Sequence, residues 1–332
     1  MRTFSCSLLV ACLIPATLPA QDSLRAAPET LHRIAPKTPA EMRALFRPTG
    51  RPLPFVSGHR GGSLPGYPEN CIETLENTLR HTFAILEVDP RYTRDGALVL
   101  MHDDTLERTS TGRGRVSDHT LAELKALRLK DRDGRETPYA IPTLDEALQW
   151  ARGKTILVLD NKDVPVAERI KAIVRNNAET AAMVMAYNPK EIKECHELNP
   201  NIMLEVFTTK HAQIEAFDKL GVPWSHVIAF VGHTPPEDAT ICKAVHERGA
   251  ATMAGTSRNL DLPLITGEIT DLKLMEPRYR ALLAAGVDLF ETDIPSALGP
   301  LLHGKTAIPG GAALIPPSQE TTRDTPSAVA PR

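Results

Sequence analysis

The chain has 332 residues, 42% of them hydrophobic, and a formal net charge of −3. That length can bury a full-sized core. The slight excess of acid leaves no broad positive field to draw a nucleic-acid backbone, which excludes DNA or RNA binding as the main activity.

The first twenty residues read as a secretory leader: Arg2, an apolar run from Leu8 to Leu18, and the small residue Ala20 for cleavage. The mature chain is therefore expected to be exported, to a periplasm or to the medium. The run Leu9-Val10-Ala11-Cys12 also resembles a lipoprotein box, but Cys12 comes early and the apolar stretch continues past it. No later segment is long enough to span a bilayer, so no stable membrane insertion is expected. Residues 21–53 are polar and proline-bearing, a lead-in arm with a helical patch near Pro39–Phe46. Residues 303–332 are rich in Pro, Gly, Ser and Thr, and read as a disordered tail.

Between them, over 54–302, short apolar runs alternate with amphipathic stretches. Strands are expected at Pro54–Ser57, Ile85–Asp89, Thr155–Asp160, Ala182–Ala186, Ile202–Val206, His226–Phe230, Ala251–Gly255 and Leu289–Asp293. Most are apolar throughout, as parallel strands covered on both faces must be. Helical periodicity fills the intervals at Ile72–His81, Leu144–Trp150, Val166–Asn176, Pro189–Leu198, Ala212–Leu220, Pro236–Arg248 and Leu272–Ala285. Thr143, Asn188 and Asp271 stand at helix starts, and Gly221, Gly249 and Gly286 just past helix ends. This α/β alternation fits a closed barrel or an open doubly wound sheet equally well. Asp95-Gly96 is a hairpin signal followed by an extra strand at Ala97–His102, and an insertion spans about 95–142. Past the leader, Cys71, Cys195 and Cys242 show no metal-like spacing and allow at most one disulfide.

The chemistry-bearing residues fall at strand ends. His59-Arg60-Gly61-Gly62 follows the first strand, and Pro68-Glu69-Asn70 follows a Gly/Pro loop. Glu87 and Asp89 end the second strand, His102-Asp103 ends the hairpin, and Asp160-Asn161-Lys162 ends the third. Positions two apart on a strand share a face, so Glu87 and Asp89 point together. Two such carboxylates repel unless a hard cation holds them, and Asp160 supplies a third oxygen. His59 and His102 flank this group and suit general acid–base work near neutral pH. Arg60 and Lys162 suit a phosphate, one as a planar fork and one as a point charge. Glu205 and Glu291 fall where either could face the same mouth, without an assigned role, and Asp293 with Pro295 is read as closing the last strand.

These pieces resemble a known family. The run G-H-R-G…P-E-N…E-V-D…T-R-D-G-x-L-V-x-x-H-D-x-x-L-x-R-T-S-T-G-x-G, with Ile141-Pro142-Thr143-Leu144-Asp145-Glu146, Gly286-Val287-Asp288 and Thr292-Asp293-Ile294-Pro295, resembles the glycerophosphodiester phosphodiesterases from Phe55 to Leu301. The resemblance implies a TIM (β/α)8 barrel with a small insertion after the second strand. It implies metal-dependent hydrolysis of a glycerophosphodiester, a small-molecule substrate, to glycerol 3-phosphate and an alcohol. A divalent ion, Ca2+ or Mg2+, would be held by Glu87, Asp89 and Asp160, with His59 and His102 as acid and base. Arg60 and Lys162 would bind the phosphate, and Glu69 and Asn70 would support His59 or the phosphate. Three positions depart from the family pattern: Asp160-Asn161-Lys162 stands for E-x-K, Cys71 for threonine, and Thr252-Met253-Ala254-Gly255-Thr256 lacks an aromatic in the alcohol-binding wall. Two other functions share the frame. One is a phospholipase D-like enzyme of lysophospholipid or sphingomyelin, and the other is a binding protein on a barrel without catalysis.

Overall fold

A computed structural model describes residues 31–234, 236, 238, 240–304 and 313–316. The expected leader, with its alternative anchor Cys12, lies outside the described residues. Eight parallel strands close into a barrel: β1 Val56–Gly58, β2 Ala84–Val88, β3 Leu157–Leu159, β4 Ala182–Ala186, β5 Met203–Phe207, β6 Val227–Gly232, β7 Ala251–Gly255 and β8 Leu289–Thr292. Closure is made by β8 pairing with β1, Glu291 opposite Ser57. The barrel, not the open sheet, is the architecture.

The parity of the strands explains why closure is stable. Inward positions such as Phe55, Ile85, Val158, Met183, Met203, Phe230, Met253 and Leu289 form one buried cluster. Their neighbours Val56, Leu86, Leu157, Val184, Leu204, Ala229 and Phe290 form another with the surrounding helices. Each fully buried Leu, Ile, Val or Phe contributes about 1.5–3 kcal/mol relative to exposure. Helix starts fall where the sequence places them: Thr143 and Glu146 form a reciprocal cap, and Asn188 accepts from the Glu191 N–H. The helices themselves are close to expectation, except that the last expected one divides into a short 3-10 turn at Leu272–Leu274 and a helix at Glu276–Ala284. The stretch expected at Pro236–Arg248 is helical over Thr240–His246. A helix at Pro295–His303, begun by its N-terminal proline, follows β8 and was not expected.

Two segments differ from their sequence reading. The lead-in arm is built into the barrel. Arg33–Ile34 forms a short strand, and Pro39–Leu45 a helix capped by Thr38. Ile34, Met42, Phe46 and Leu53 pack beneath Phe55, Phe83 and Ile85, stopping the amino-terminal end of the barrel with hydrocarbon. Within the tail, Leu314–Ile315 pairs antiparallel with Arg33–Ile34, a contact too remote in sequence for local composition to reveal.

The insertion begins with a hairpin, Pro90–Tyr92 against Leu98–Leu100. Its own small core of Val99, Met101, Leu106, Val116, Leu124, Leu129 and Ile141 lets it stand beside the barrel mouth as a packed unit. Cys71, Cys195 and Cys242 are buried and free. No described helix is long and apolar enough to cross a membrane.

Candidate active site

The inward parity that lines the barrel with hydrocarbon below turns acidic above. Glu87 and Asp89 continue the inward row of Ile85, and Asp160 that of Ile156 and Val158. The three carboxylates are buried, with ligand oxygens all within 4.8 Å of one another. Burial and the neighbouring Asp89, Asp160 and Glu291 charges push the Glu87 carboxyl well above its usual range. Asp89 moves the other way: burial opposes its charge, but Lys162, His102, Asn70 and Arg60 outweigh it. Three converging oxygens with this repulsion fit a hard divalent cation, so the donor set suits the ion expected there.

The cations expected at the phosphate stand over this group. Lys162 Nζ lies 2.9 Å from Asp89 and also bonds Asp160. Arg60 Nη1 reaches both Glu69 oxygens at 3.3 Å, while its backbone N–H donates to Glu87 at 2.7 Å. That last bond requires a left-handed backbone at Arg60, φ 52°, a conformation costly for a non-glycine residue and common at functional sites. Gly62 follows with φ 84°, and a Cβ there would lie 2.2 Å from Pro295. The H-R-G-G run is thus dictated by the tight turn that aims His59 and Arg60 into the mouth.

Asn70 and Glu69 both contact residues of the site, Asn70 a carboxylate of the triad and Glu69 the Arg60 guanidinium. Asn70 is buried and brackets Asp89, its Nδ2 donating to the carboxylate at 2.6 Å and its Oδ1 accepting from the Asp89 N–H at 2.9 Å. It orients a candidate metal ligand and touches neither His59 nor open space. Glu69 joins Arg60 to Arg108, whose guanidinium donates to it at 2.7 and 2.9 Å.

Both histidines have carboxylate partners. His59 Nδ1 lies 2.6 Å from Asp293, leaving Nε2 toward the mouth, and the Asp293 N–H is itself held by buried Asp261 at 2.8 Å. Asp293, read from sequence as the closure of a strand, is therefore part of the site. Its partner lies 234 positions away, so no local signal could pair them. Burial disfavours the His59 imidazolium, but the Asp293 hydrogen bond and the Glu291 and Asp293 charges overcome it and hold its pKa above the ordinary value. His102 Nδ1 lies 2.8 Å from Asp103, and Arg91 grips the His102 carbonyl. Here burial wins and the pKa is lowered, against the pull of Asp89 and Asp103.

Further side chains complete the mouth. Tyr187 donates its hydroxyl to Asp160 and stacks on Phe207 at 4.8 Å, followed by Phe230 and His233. Gly255 leaves room for His233, whose Nδ1 would sit 2.8 Å from a Cβ. An aromatic wall thus comes from β4 to β6 and the loop after β6, where the β7 sequence offers none. Glu205 and Glu291 do face inward. Both Glu205 oxygens and one of Glu291 are buried without a hydrogen-bond partner among the described residues. Burial raises both carboxyls, that of Glu205 well above its usual range with Glu291 and Asp160 beside it.

Comparison with known proteins places the chain in a family and on a known fold. The model of the glycerophosphoryl diester phosphodiesterase family matches residues 59–297. A glycerophosphodiester phosphodiesterase from Caldanaerobacter subterraneus subsp. tengcongensis is 32% identical over 45% of the chain, and one from Bacillus subtilis 27% identical over 43%. The matches span 65% and 56% of those relatives' own lengths. The crystal structure of a glycerophosphoryl diester phosphodiesterase from Parabacteroides distasonis superimposes with a TM-score of 0.80 and 38% identity, over 86% of this chain and 99% of that one. A phosphodiesterase from Oleispira antarctica, solved with the product sn-glycerol-3-phosphate, shares the fold at 22% identity and a TM-score of 0.54, over 75% and 96% of the two chains.

Proposed function

The chain belongs to the glycerophosphoryl diester phosphodiesterase family, and from that premise we propose that it hydrolyses glycerophosphodiesters to glycerol 3-phosphate and an alcohol. The observation that carries the reading is the triad of buried carboxylates, mutually within 4.8 Å, between two histidines whose pKa values are pushed apart. The Oleispira antarctica enzyme on the same barrel holds sn-glycerol-3-phosphate as its product, the product proposed here.

Glu87, Asp89 and Asp160 would hold Ca2+ or Mg2+, which when bound neutralises charge on the phosphate and orients it. Arg60 and Lys162 bind the non-bridging oxygens and stabilise the charge that builds on them. His102, its pKa lowered chiefly by burial, favours the neutral form and takes the proton from the attacking oxygen: either water directly, or a glycerol hydroxyl of the substrate, which closes a cyclic phosphate that water then opens to glycerol 3-phosphate. His59, its pKa raised by Asp293 and Glu291 over the opposing effect of burial, holds a proton more firmly than an ordinary imidazole and delivers it to the departing alcohol. With the roles reversed, each imidazole would have to act against the direction in which its pKa is displaced. Asp293 fixes the His59 tautomer, and Asp103 does the same for His102.

The test is turnover of glycerophosphoethanolamine by the folded protein, before and after chelation. Glycerol 3-phosphate should form, cease with chelator, and return on adding Mg2+ or Ca2+. Asp160→Asn should need far more metal or lose activity. Full turnover in chelator, or phosphate ester cleavage that yields no glycerol 3-phosphate, would overturn the reading.

A further inference from the structure

One side of the mouth has a charge pattern that the proposed reaction leaves unused. A cleft of ≈ 280 Å³ opens on His59 and Arg60 and is walled by Arg132 from the insertion and Arg258 from the loop after β7. Its two acidic side chains are already engaged, Glu69 with Arg60 and Arg108 and Asp293 with His59. The two arginines are not. Arg132 touches the Ser63 carbonyl through one nitrogen and forms no ion pair among the described residues, and Arg258 has neither hydrogen bond nor ion pair among them. The net field in the cleft is therefore positive.

Both arginines stand on pinned loops. Asp131 is buried and accepts from the Gly66 N–H at 2.8 Å and from the Asp133 and Arg135 N–H groups at 3.0 Å, tying the Arg132 turn to the loop beside Ser63. Across the cleft, Asp261 N–H and Asn259 N–H both return to the Thr256 carbonyl, and the Asp261 carboxylate holds the Thr256 hydroxyl and the Asp293 N–H. Arg258 thus projects from a turn anchored to the same residue that positions the His59 partner.

The lining also disfavours other occupants. Among the described residues that line the cleft there is no Phe, Tyr or Trp ring to receive a quaternary ammonium, and its carboxylates are committed. A single apolar side chain, Ile265, is too little surface for an acyl chain. What remains is a polar group carrying negative charge, for which guanidinium is the matching donor. We propose that this cleft takes the alcohol head group, and that Arg132 and Arg258 select diesters whose alcohol bears an added anion, a carboxylate or second phosphate. The proposal rests on the family reaction put forward above.

Glycerophosphoserine and glycerophosphoethanolamine differ by one carboxylate and give the minimal test. At low salt, kcat/KM should favour the serine diester by about tenfold, as two exposed charge contacts of a few-fold each allow, and the preference should shrink as salt screens them. In Arg132→Ala/Arg258→Ala the ratio should fall toward one, with the change in the KM for the serine diester. Arg258→Lys should keep part of the preference, which a merely structural loss would not. Equal use of the two diesters by the unaltered protein, or a preference that survives the double variant, overturns the selectivity and leaves the family reaction standing. If neither diester is cleaved, the reaction and the selectivity fall together.

Discussion

His59 and His102 each give Nδ1 to an aspartate, at 2.6 and 2.8 Å, yet their pKa values move in opposite directions. The difference lies in what else faces the pair. Each ring also has a second carboxylate beside it, Glu291 for His59 and Asp89 for His102, but among the described residues Asp293 forms an ion pair with His59 alone. Asp103 is shared: Arg108 donates to it at 2.6 and 2.9 Å and holds its carboxyl below the usual range. Arg60 and Lys162 also repel a proton on His102. In the proposed mechanism one motif, a His–Asp pair, would thus serve as acid in one setting and base in the other, according to the charges around it. The scaffolds differ as well: His59 and Asp293 come from the ends of adjacent barrel strands, whereas His102 and Asp103 belong to the insertion.

The largest effects should come from removing the rings. His59→Ala and His102→Ala should each lower kcat/KM by about 10²–10⁴-fold, and the leaving group separates their roles. A p-nitrophenyl ester of glycerol 3-phosphate departs without a proton, so His59→Ala should recover most of its rate on that substrate relative to glycerophosphoethanolamine. His102→Ala should be equally poor on both. Equal losses for His59→Ala on the two esters would remove it as the acid.

Removing the carboxylates should move the pH profile instead. The neutral base is lost as pH falls through the His102 pKa, and the protonated acid is lost as pH rises through the His59 pKa. Asp293→Asn takes away the negative charge that helps to raise His59, so the alkaline limb of kcat/KM should shift about one unit to lower pH. Asp103→Asn lowers His102 further, so the acidic limb should also move to lower pH while the alkaline limb stays. A profile in which either variant moves both limbs equally would mean that the two pairs titrate as one unit.

How much of this was legible depends on sequence distance. Glu87 and Asp89 could be read as a ligand pair because strand parity places residues two apart on one face, and Asp160 repeats the pattern on the next barrel strand. The eight strands were legible because parallel strands are continuously apolar. Asp293 was missed as a His59 partner because the contact closes the barrel between its first and last strands. The arm was read as peripheral because four buried side chains, Ile34, Met42, Phe46 and Leu53, are spaced too irregularly for any period. Their burial appears only once the barrel offers an end to cover. The hold of Asn70 on Asp89 appears only in the fold, since sequence gives no direction for a side-chain amide.

Arg108 offers the smallest effect and the sharpest sign. It is half-exposed and stands between Glu69 and Asp103, and Arg108→Gln would leave both carboxylates with less countercharge. Asp103 would then act on His102 with a charge no longer shared with Arg108. That change favours the imidazolium, so the His102 pKa should rise and the acidic limb move to higher pH, opposite to Asp103→Asn. The shift should be a few tenths of a unit, because exposed pairs are weak and screened, and it should fade as salt is raised. A limb that moves to lower pH in Arg108→Gln would show that Arg108 acts on His102 through the position of Asp103 and not through its charge, and the countercharge account of the two histidines would have to be replaced by one of geometry.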